Sequence, residues 1–515
     1  MNNSVAFEYR KRLPLSYHDE VKEVALQANS EVVIAPANLV GGAWIPGSGE
    51  VSKSLNPAKP DDVVAEFTQA SSAEVETAID RATDAQAEWE SLGIIKRGMI
   101  LRGVGDLISE RREQLAELMT REQGKTLAES LGEVDGSAET IRYHAASSRN
   151  PLGRTYPSSF PGEHIEQIRQ ALGVVGIITP WNFPTQIPSW KIAPALLWGN
   201  TVVWKPASDI PAISAAFAAA FHDAGVPAGV LNMTLAAGRT ASAIIESPKI
   251  SGISFTGSVP VGQMIAKSAT NRGAKVQLEL GGHNAAIVMP DVDPKYAASQ
   301  LLVGAMSGTG QKCTATRRII TVGDIHGQFV SELKDLVEGL VVGSGMESSS
   351  TTGPVVSEKA KQEIDSAVSD ALKEGGKIIA QAKIPTDSGF YFPPTVIEGG
   401  MEIRTCREEV FGPVTTVMNV DSLEEAISIA NSTEFGLTAS IFSANDGDIQ
   451  QATNQLQAGL IKINAPNTGS EMHVPFGGLK DSTFPGPREQ NAESVADFYT
   501  STKSIYRRVA PRRNK

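Results

Sequence analysis

LGVVGIITPWNFP, residues 172–184, changes the character of the chain. Upstream of it, apolar residues recur at helical spacing. From Leu172 they form a short continuous run, closed by a segment rich in proline. An apolar run of that length bounded by turn residues reads as a buried strand. Four more follow: TVVWK (201–205), VLNMT (230–234), ISGISFT (250–256) and VQLEL (276–280), with Ala-rich helical stretches at 211–224 and 258–270 between them. Short apolar strands alternating with helices predict an α/β fold with a mostly parallel, doubly wound sheet. The alternation resumes after Gly282, with AAIVM (285–289), a helix near 295–306 and RIITV (318–322), which predicts a second α/β domain.

Towards the N-terminus, GGAWIPG (41–47) reads as a Gly/Pro turn around a short strand. Residues 73–90 carry Val75, Ile79, Ala82 and Trp89 at helical spacing, and further helical stretches run over 97–123 and 127–148, with Gly124 as the stop between them. Residues 1–40 are expected to form an extension outside the main core. The stretch 154–173, RTYPSSFPGEHIEQIRQALG, predicts a projecting hairpin, and the tail SVADFYTSTKSIYRR (494–508) also alternates. Such strands pair either with each other or with another subunit.

The 515 residues carry 46 Lys and Arg against 58 Asp and Glu, a net charge of −12. No basic footprint exists to neutralise a phosphate backbone, so a nucleic-acid partner is not expected. Two cysteines, Cys313 and Cys406, make neither a disulfide framework nor a CxxC zinc site, and no metal site is expected. The N-terminus lacks the pattern of a signal peptide, and no apolar run reaches the length of a membrane helix. A soluble, reducing, cytoplasmic setting without a membrane partner is the expectation.

Four segments carry candidate chemistry. Cys313 lies in SGTGQKCTATRR (307–318), where Gly308 and Gly310 permit close backbone approach, and Lys312 and Arg317 supply charge that would favour a thiolate. It is either a nucleophile or a buried structural cysteine. Glu279 ends an apolar strand, where a carboxylate is a general base or the partner of a core ion pair. In TPWNFP (179–184) the Asn182 amide could donate to an oxyanion or merely close a turn. FTGSVPVG (255–262) runs from strand through Gly257 into a helix near Ser258, leaving free N–H groups for a pyrophosphate, although it is neither GxGxxG nor a P-loop.

Together with WKPAS (204–208), LELGG (278–282), GQKC (310–313), EEVFGP (408–413) and PFGG (475–478), these segments resemble the aldehyde dehydrogenase superfamily, in order, from about Gly41 to Tyr506. The resemblance implies a Rossmann-like NAD(P)-binding domain (41–150 and 174–281), a catalytic domain (282–493), and an oligomerisation hairpin and tail (151–173 and 494–515). It implies Cys313 as the nucleophile, Asn182 and the Cys313 N–H as the oxyanion hole, and Glu279 as the base that activates water on the thioester. Thr179, Pro180, Trp181, Lys205, Ser208, Gly257, Ser258, Glu409 and Phe411 would contact NAD or NADP. A homodimer or homotetramer is the implied assembly.

Ser208 stands where many NAD-preferring members carry Glu, so NADP is expected to be accepted, even preferred. GQKCTATRR, NAPNTGSEMHVPFGG (464–478) and GPREQ (486–490) are most similar to the α-ketoglutaric semialdehyde dehydrogenase group, which implies a small ω-semialdehyde. Asn491 departs from that pattern, where a Gly is customary, and leaves an aromatic or aliphatic aldehyde open. Phe183, Ile187, Trp190, Lys312, Thr314, Gly469, Ser470 and Phe476 would line the substrate tunnel, with Lys312, Arg317 and His473 as candidates to grip a distal carboxylate. A CoA-acylating relative and a catalytically silent member are the competing readings, and Glu279 counts against the first.

Overall fold

The strand Val174–Ile178, buried along its whole length, is the centre from which a seven-stranded sheet grows. On one side lie Thr201–Lys205 and Leu231–Met233, and on the other Ile250–Thr256 and Lys275–Glu279, all parallel. The chain therefore reverses its direction of growth between Val174–Ile178 and Ile250–Thr256, which opens a crevice beyond their carboxyl ends. Strand pairing aligns Ile178 with Lys205 and Phe255, and Thr256 with Glu279, so the loops after all four strands leave one sheet edge together.

In this computed structural model, residues 35–384, 388–484, 486 and 490–510 are described. The expected extension lies outside them up to residue 34, as do most of GPREQ and residues 511–515. Asn38–Val40, assigned above to the extension, is instead a strand of the sheet, antiparallel to both Leu231–Met233 and Ala43–Ile45. Three residues are too few to show a period. Helices Ser72–Ser91, Ile94–Glu110, Arg112–Gln123 and Leu127–Ser147 follow. The stretch 97–123 is thus two helices, broken at Arg111, whose φ of −101° and ψ of 17° are not helical. Gly124, at φ +97°, ends the second.

A second sheet orders Lys377–Gln381, Thr395–Glu398, Val414–Val420, Thr316–Val322, Asn284–Val288, Thr438–Phe442 and Leu460–Ile463. Only the first pair is antiparallel. The expected hairpin is present as Gly153–Tyr156 and Glu163–Ala171, and Thr500–Arg508 pairs with its long strand within the same chain, from Thr500 opposite Ala171 to Arg508 opposite Glu163. Among the described residues no helix is long and apolar enough to cross a membrane.

Candidate active site

The edge where the four loops emerge gathers most of the residues singled out in the sequence. Thr179 is held by its N–H to the Lys205 carbonyl at 3.2 Å, and its hydroxyl accepts from the Trp204 indole at 2.9 Å. Pro180 follows, partly buried. Trp181 meets Phe411 edge-on, ring centroids 5.6 Å apart, although 230 positions separate them in the chain. Asn182 is buried, and its Nδ2 donates to the Gln311 carbonyl at 3.1 Å, two residues before Cys313. An amide nitrogen carries two hydrogens, so one donor remains for a ligand beside the cysteine.

Beneath Asn182 lies an ion pair that separate segments supply. The Lys125 ammonium donates to Glu133 and, at 2.8 Å, to the Asn182 carbonyl. The other Glu133 oxygen accepts the N–H groups of Thr185 and Gln186 at 2.9 and 3.2 Å. Both side chains are almost fully buried, at 5% and 2% exposure.

The cysteine loop is wound tightly. Gly308, Thr309 and Gly310 have consecutive φ values of 61°, 57° and 64°, which glycine adopts without strain and threonine does not. A Cβ on Gly310 would lie 2.1 Å from the Gly412 carbonyl, so this loop packs directly on the segment that carries Glu409 and Phe411. Likewise a Cβ on Gly282 would lie 2.5 Å from the Cys313 carbonyl, which brings the glycines after Glu279 against the nucleophile candidate. That carbonyl accepts from the Asn284 amide at 2.7 Å.

Cys313 is half-buried. Burial pushes its thiol up to about 12, Glu409 and Glu279 push the same way, and the N–H groups of Cys313 and Thr314 oppose them. Lys312 and Arg317 do attract a Cys313 thiolate, but burial and the two carboxylates outweigh them. Arg317 is fully buried as a backbone clamp, donating to the carbonyls of Gly412 and Gly310 at 2.7 Å each and of Lys312 at 3.2 Å. Lys312 donates to Ser307 Oγ at 2.8 Å.

Glu279 is 2% exposed at the end of its strand. Lys191, missed in the sequence, is its neighbour. Burial lowers that ammonium to about 7 while the charge of Glu279 opposes the fall, and its Nζ donates to Ser254, which passes a bond to Gln277. One lysine within the apolar stretch WKIAPALL was the available signal. Glu409 accepts the Gly282 N–H at 3.1 Å, and burial raises its carboxyl against the lowering by Arg317.

On the neighbouring strand, Lys205 is buried, donates to the Pro206 carbonyl at 3.0 Å, and is lowered by burial to about 8. Ser208 is exposed. Ser258 starts the helix Val259–Asn271 with an extended backbone and no side-chain cap, so the first N–H groups face outward. Trp190 stacks at a tilt on Phe476, centroids 5.3 Å apart, and both Ile187 and Thr314 are buried close by in sequence to the site residues. Phe183 lies under the Lys125 ammonium, 4.5 Å from its centroid. Gly469, Ser470 and His473 are exposed on their loop.

A switch-point crevice, a glycine-flanked carboxylate and a wound cysteine loop are therefore one constellation, which comparison with known proteins places. The model of the aldehyde dehydrogenase family matches residues 44–505. The chain belongs to that family. It is 38% identical to the α-ketoglutaric semialdehyde dehydrogenase of Bacillus subtilis over 476 residues, which covers 91% of this chain and 97% of that one. The α-ketoglutarate semialdehyde dehydrogenase of Haloferax volcanii is 37% identical, with 91% and 98% covered. Among solved structures, betaine aldehyde dehydrogenase of Staphylococcus aureus in complex with NAD+ superposes with a TM-score of 0.89 at 30% identity, covering 96% of this chain and 98% of that one. The fold is accordingly that of an aldehyde dehydrogenase, with a Rossmann-like sheet and a catalytic sheet facing each other across the site.

Proposed function

We propose that this aldehyde dehydrogenase oxidises a small ω-semialdehyde, of the kind named for its Bacillus and Haloferax relatives, to the dicarboxylate. The observation that carries the reading is the meeting of Asn182, Cys313 and the Glu279–Gly282 segment from three parts of the chain. Cys313 gives up its thiol proton to solvent as Sγ attacks the aldehyde carbon. The free hydrogen of the Asn182 amide and the Cys313 N–H then hold the oxygen as its charge develops. NAD(P), when bound, supplies the acceptor for the two electrons that separate the thiohemiacetal from a thioester. Glu279 removes a proton from water as that water attacks the thioester carbon, and the Cys313 sulfur leaves.

The residues present suit such a cofactor. Lys205 is a buried ammonium with donors to spare for ribose hydroxyls, and the open helix start after Gly257 and Ser258 suits a pyrophosphate. Glu409, raised and partly buried beside Gly282, is placed for the second ribose, with Phe411 and Trp181 as its apolar walls. NAD is the cofactor of the Staphylococcus complex. For this chain Ser208 leaves room for a 2′-phosphate, so NADP is accepted as well.

The segments 41–150 and 174–281 make the cofactor domain and 282–493 the catalytic domain. The three-stranded sheet of 153–171 and 500–508 carries a homodimer or homotetramer through its two outer edges, in a reducing, cytoplasmic setting. The test is product analysis with α-ketoglutaric semialdehyde, succinic semialdehyde, benzaldehyde and hexanal. Dicarboxylate formed with reduced cofactor and without CoA supports the reading. Turnover of only benzaldehyde or hexanal, or a requirement for CoA, would overturn it.

A further inference from the structure

A cavity of about 250 Å³ opens beside the cysteine loop, walled by Lys125, Glu129, Glu133, Phe183, Gln186 and Lys312 among others. Two ammonium groups and two carboxylates face it, and three of the four charges are already committed. Glu133 is saturated by Lys125 and by the N–H groups of Thr185 and Gln186. Lys125 spends itself on Glu133 and the Asn182 carbonyl. Glu129 closes a capping box with Thr126 at the start of the helix Leu127–Ser147, and its other oxygen accepts the Gly308 N–H at 2.6 Å. A carboxylate in the first helical turn is offset by the helix dipole.

Lys312 differs. Its ammonium has three hydrogens, and one neutral hydroxyl, that of Ser307, takes one of them. It is adjacent in the chain to Cys313 and walls the cavity together with Phe183, the residue after Asn182. The remaining candidates for gripping an acid do not compete: the Arg317 guanidinium is buried away from the cavity, its two terminal nitrogens on backbone carbonyls, and His473 is exposed, 4.0 Å from Glu471. We infer that Lys312 is the specificity-determining contact of the substrate pocket, its ammonium receiving the far carboxylate of the aldehyde while Cys313 takes the near carbonyl. The inference rests on the proposed ω-semialdehyde substrate and adds the group that selects it. Ser307 then acts as a positioning residue, holding the ammonium towards the cavity in the absence of substrate.

The test compares succinic semialdehyde with butanal, an aldehyde of equal length without the acid, in the wild type, Lys312→Met and Lys312→Arg. In Lys312→Met the ratio of kcat/KM for acid over neutral aldehyde is expected to fall ~30-fold, the scale of one charge-assisted hydrogen bond, mainly through KM. Lys312→Arg, which keeps the charge, is expected to recover most of the ratio. A second readout needs no turnover and no variant: α-ketoglutarate should protect Cys313 from iodoacetamide, scored by mass spectrometry, far better than the neutral pentanamide does. Equal loss for both aldehydes in Lys312→Met, or equal protection by the acid and the amide, would overturn the inference while leaving the semialdehyde reading standing. A wild type that prefers butanal would overturn both.

Discussion

The Lys125 ammonium donates to the carbonyl of Asn182 at 2.8 Å while its partner Glu133 holds the N–H groups of Thr185 and Gln186. The loop that carries the proposed oxyanion donor is thereby pinned at both ends by one buried ion pair. Removing one member of such a pair leaves the other charge buried alone, which costs about 3–5 kcal/mol. Lys125→Met should lower the stability measured by urea unfolding by that amount and reduce kcat as well. Glu133→Gln in the same background should recover part of the stability. Unchanged unfolding in the single variant would show that the pair is not needed.

Asn182→Ala removes the side-chain donor proposed for the oxyanion and, with it, the bond to Gln311. The expected loss is ~10²–10³-fold in kcat, with KM little changed. Steady-state kinetics with far-UV circular dichroism as the folding control would measure it.

Glu279→Gln keeps the shape and removes the proposed base. Thioester hydrolysis should slow ~10²–10⁴-fold, so one equivalent of reduced cofactor forms rapidly and turnover then stalls. Stopped-flow absorbance would see the burst, and intact-mass spectrometry would find the acyl group on Cys313.

The resting thiol of Cys313 is pushed up to about 12 by burial and by Glu409 and Glu279. Below that value the thiolate fraction grows about tenfold per pH unit. Alkylation of the cofactor-free enzyme by iodoacetamide should therefore climb without a plateau from about pH 7 to about pH 9. A plateau in that range would mean that the attraction of Lys312 and Arg317 outweighs burial.

Ser208→Glu places a carboxylate where a 2′-phosphate would sit. The ratio of kcat/KM for NADP over NAD is expected to fall ~10-fold or more, because like charges then meet. Parallel cofactor titrations would detect it.

Much of this architecture was legible because local patterns and tertiary context agree. The strand around Val174–Ile178 is an uninterrupted apolar run, and the strand pairing that sets Lys205 and Phe255 beside Ile178 follows from the doubly wound order it begins. Gly124 stops its helix as its conformation requires. What was missed depends on contacts between distant segments. Nothing local marks Arg111 as a break, and Asn38–Val40 is a strand only because Leu231–Met233 lies alongside. Arg317 reads from sequence as charge beside a thiol, and nothing local shows that it also donates to the Gly412 carbonyl, 95 positions away. Lys191, Lys125 and Glu133 take their meaning from Glu279 and Asn182, which no spacing rule connects to them.

In the proposed reaction Cys313 carries the substrate covalently. The most direct test is Cys313→Ala, assayed for reduced-cofactor formation with an ω-semialdehyde and, by calorimetry, for NAD+ binding. Oxidation is expected to fall at least ~10³-fold while the cofactor still binds. A variant that binds NAD+ and turns over at the wild-type rate would contradict it.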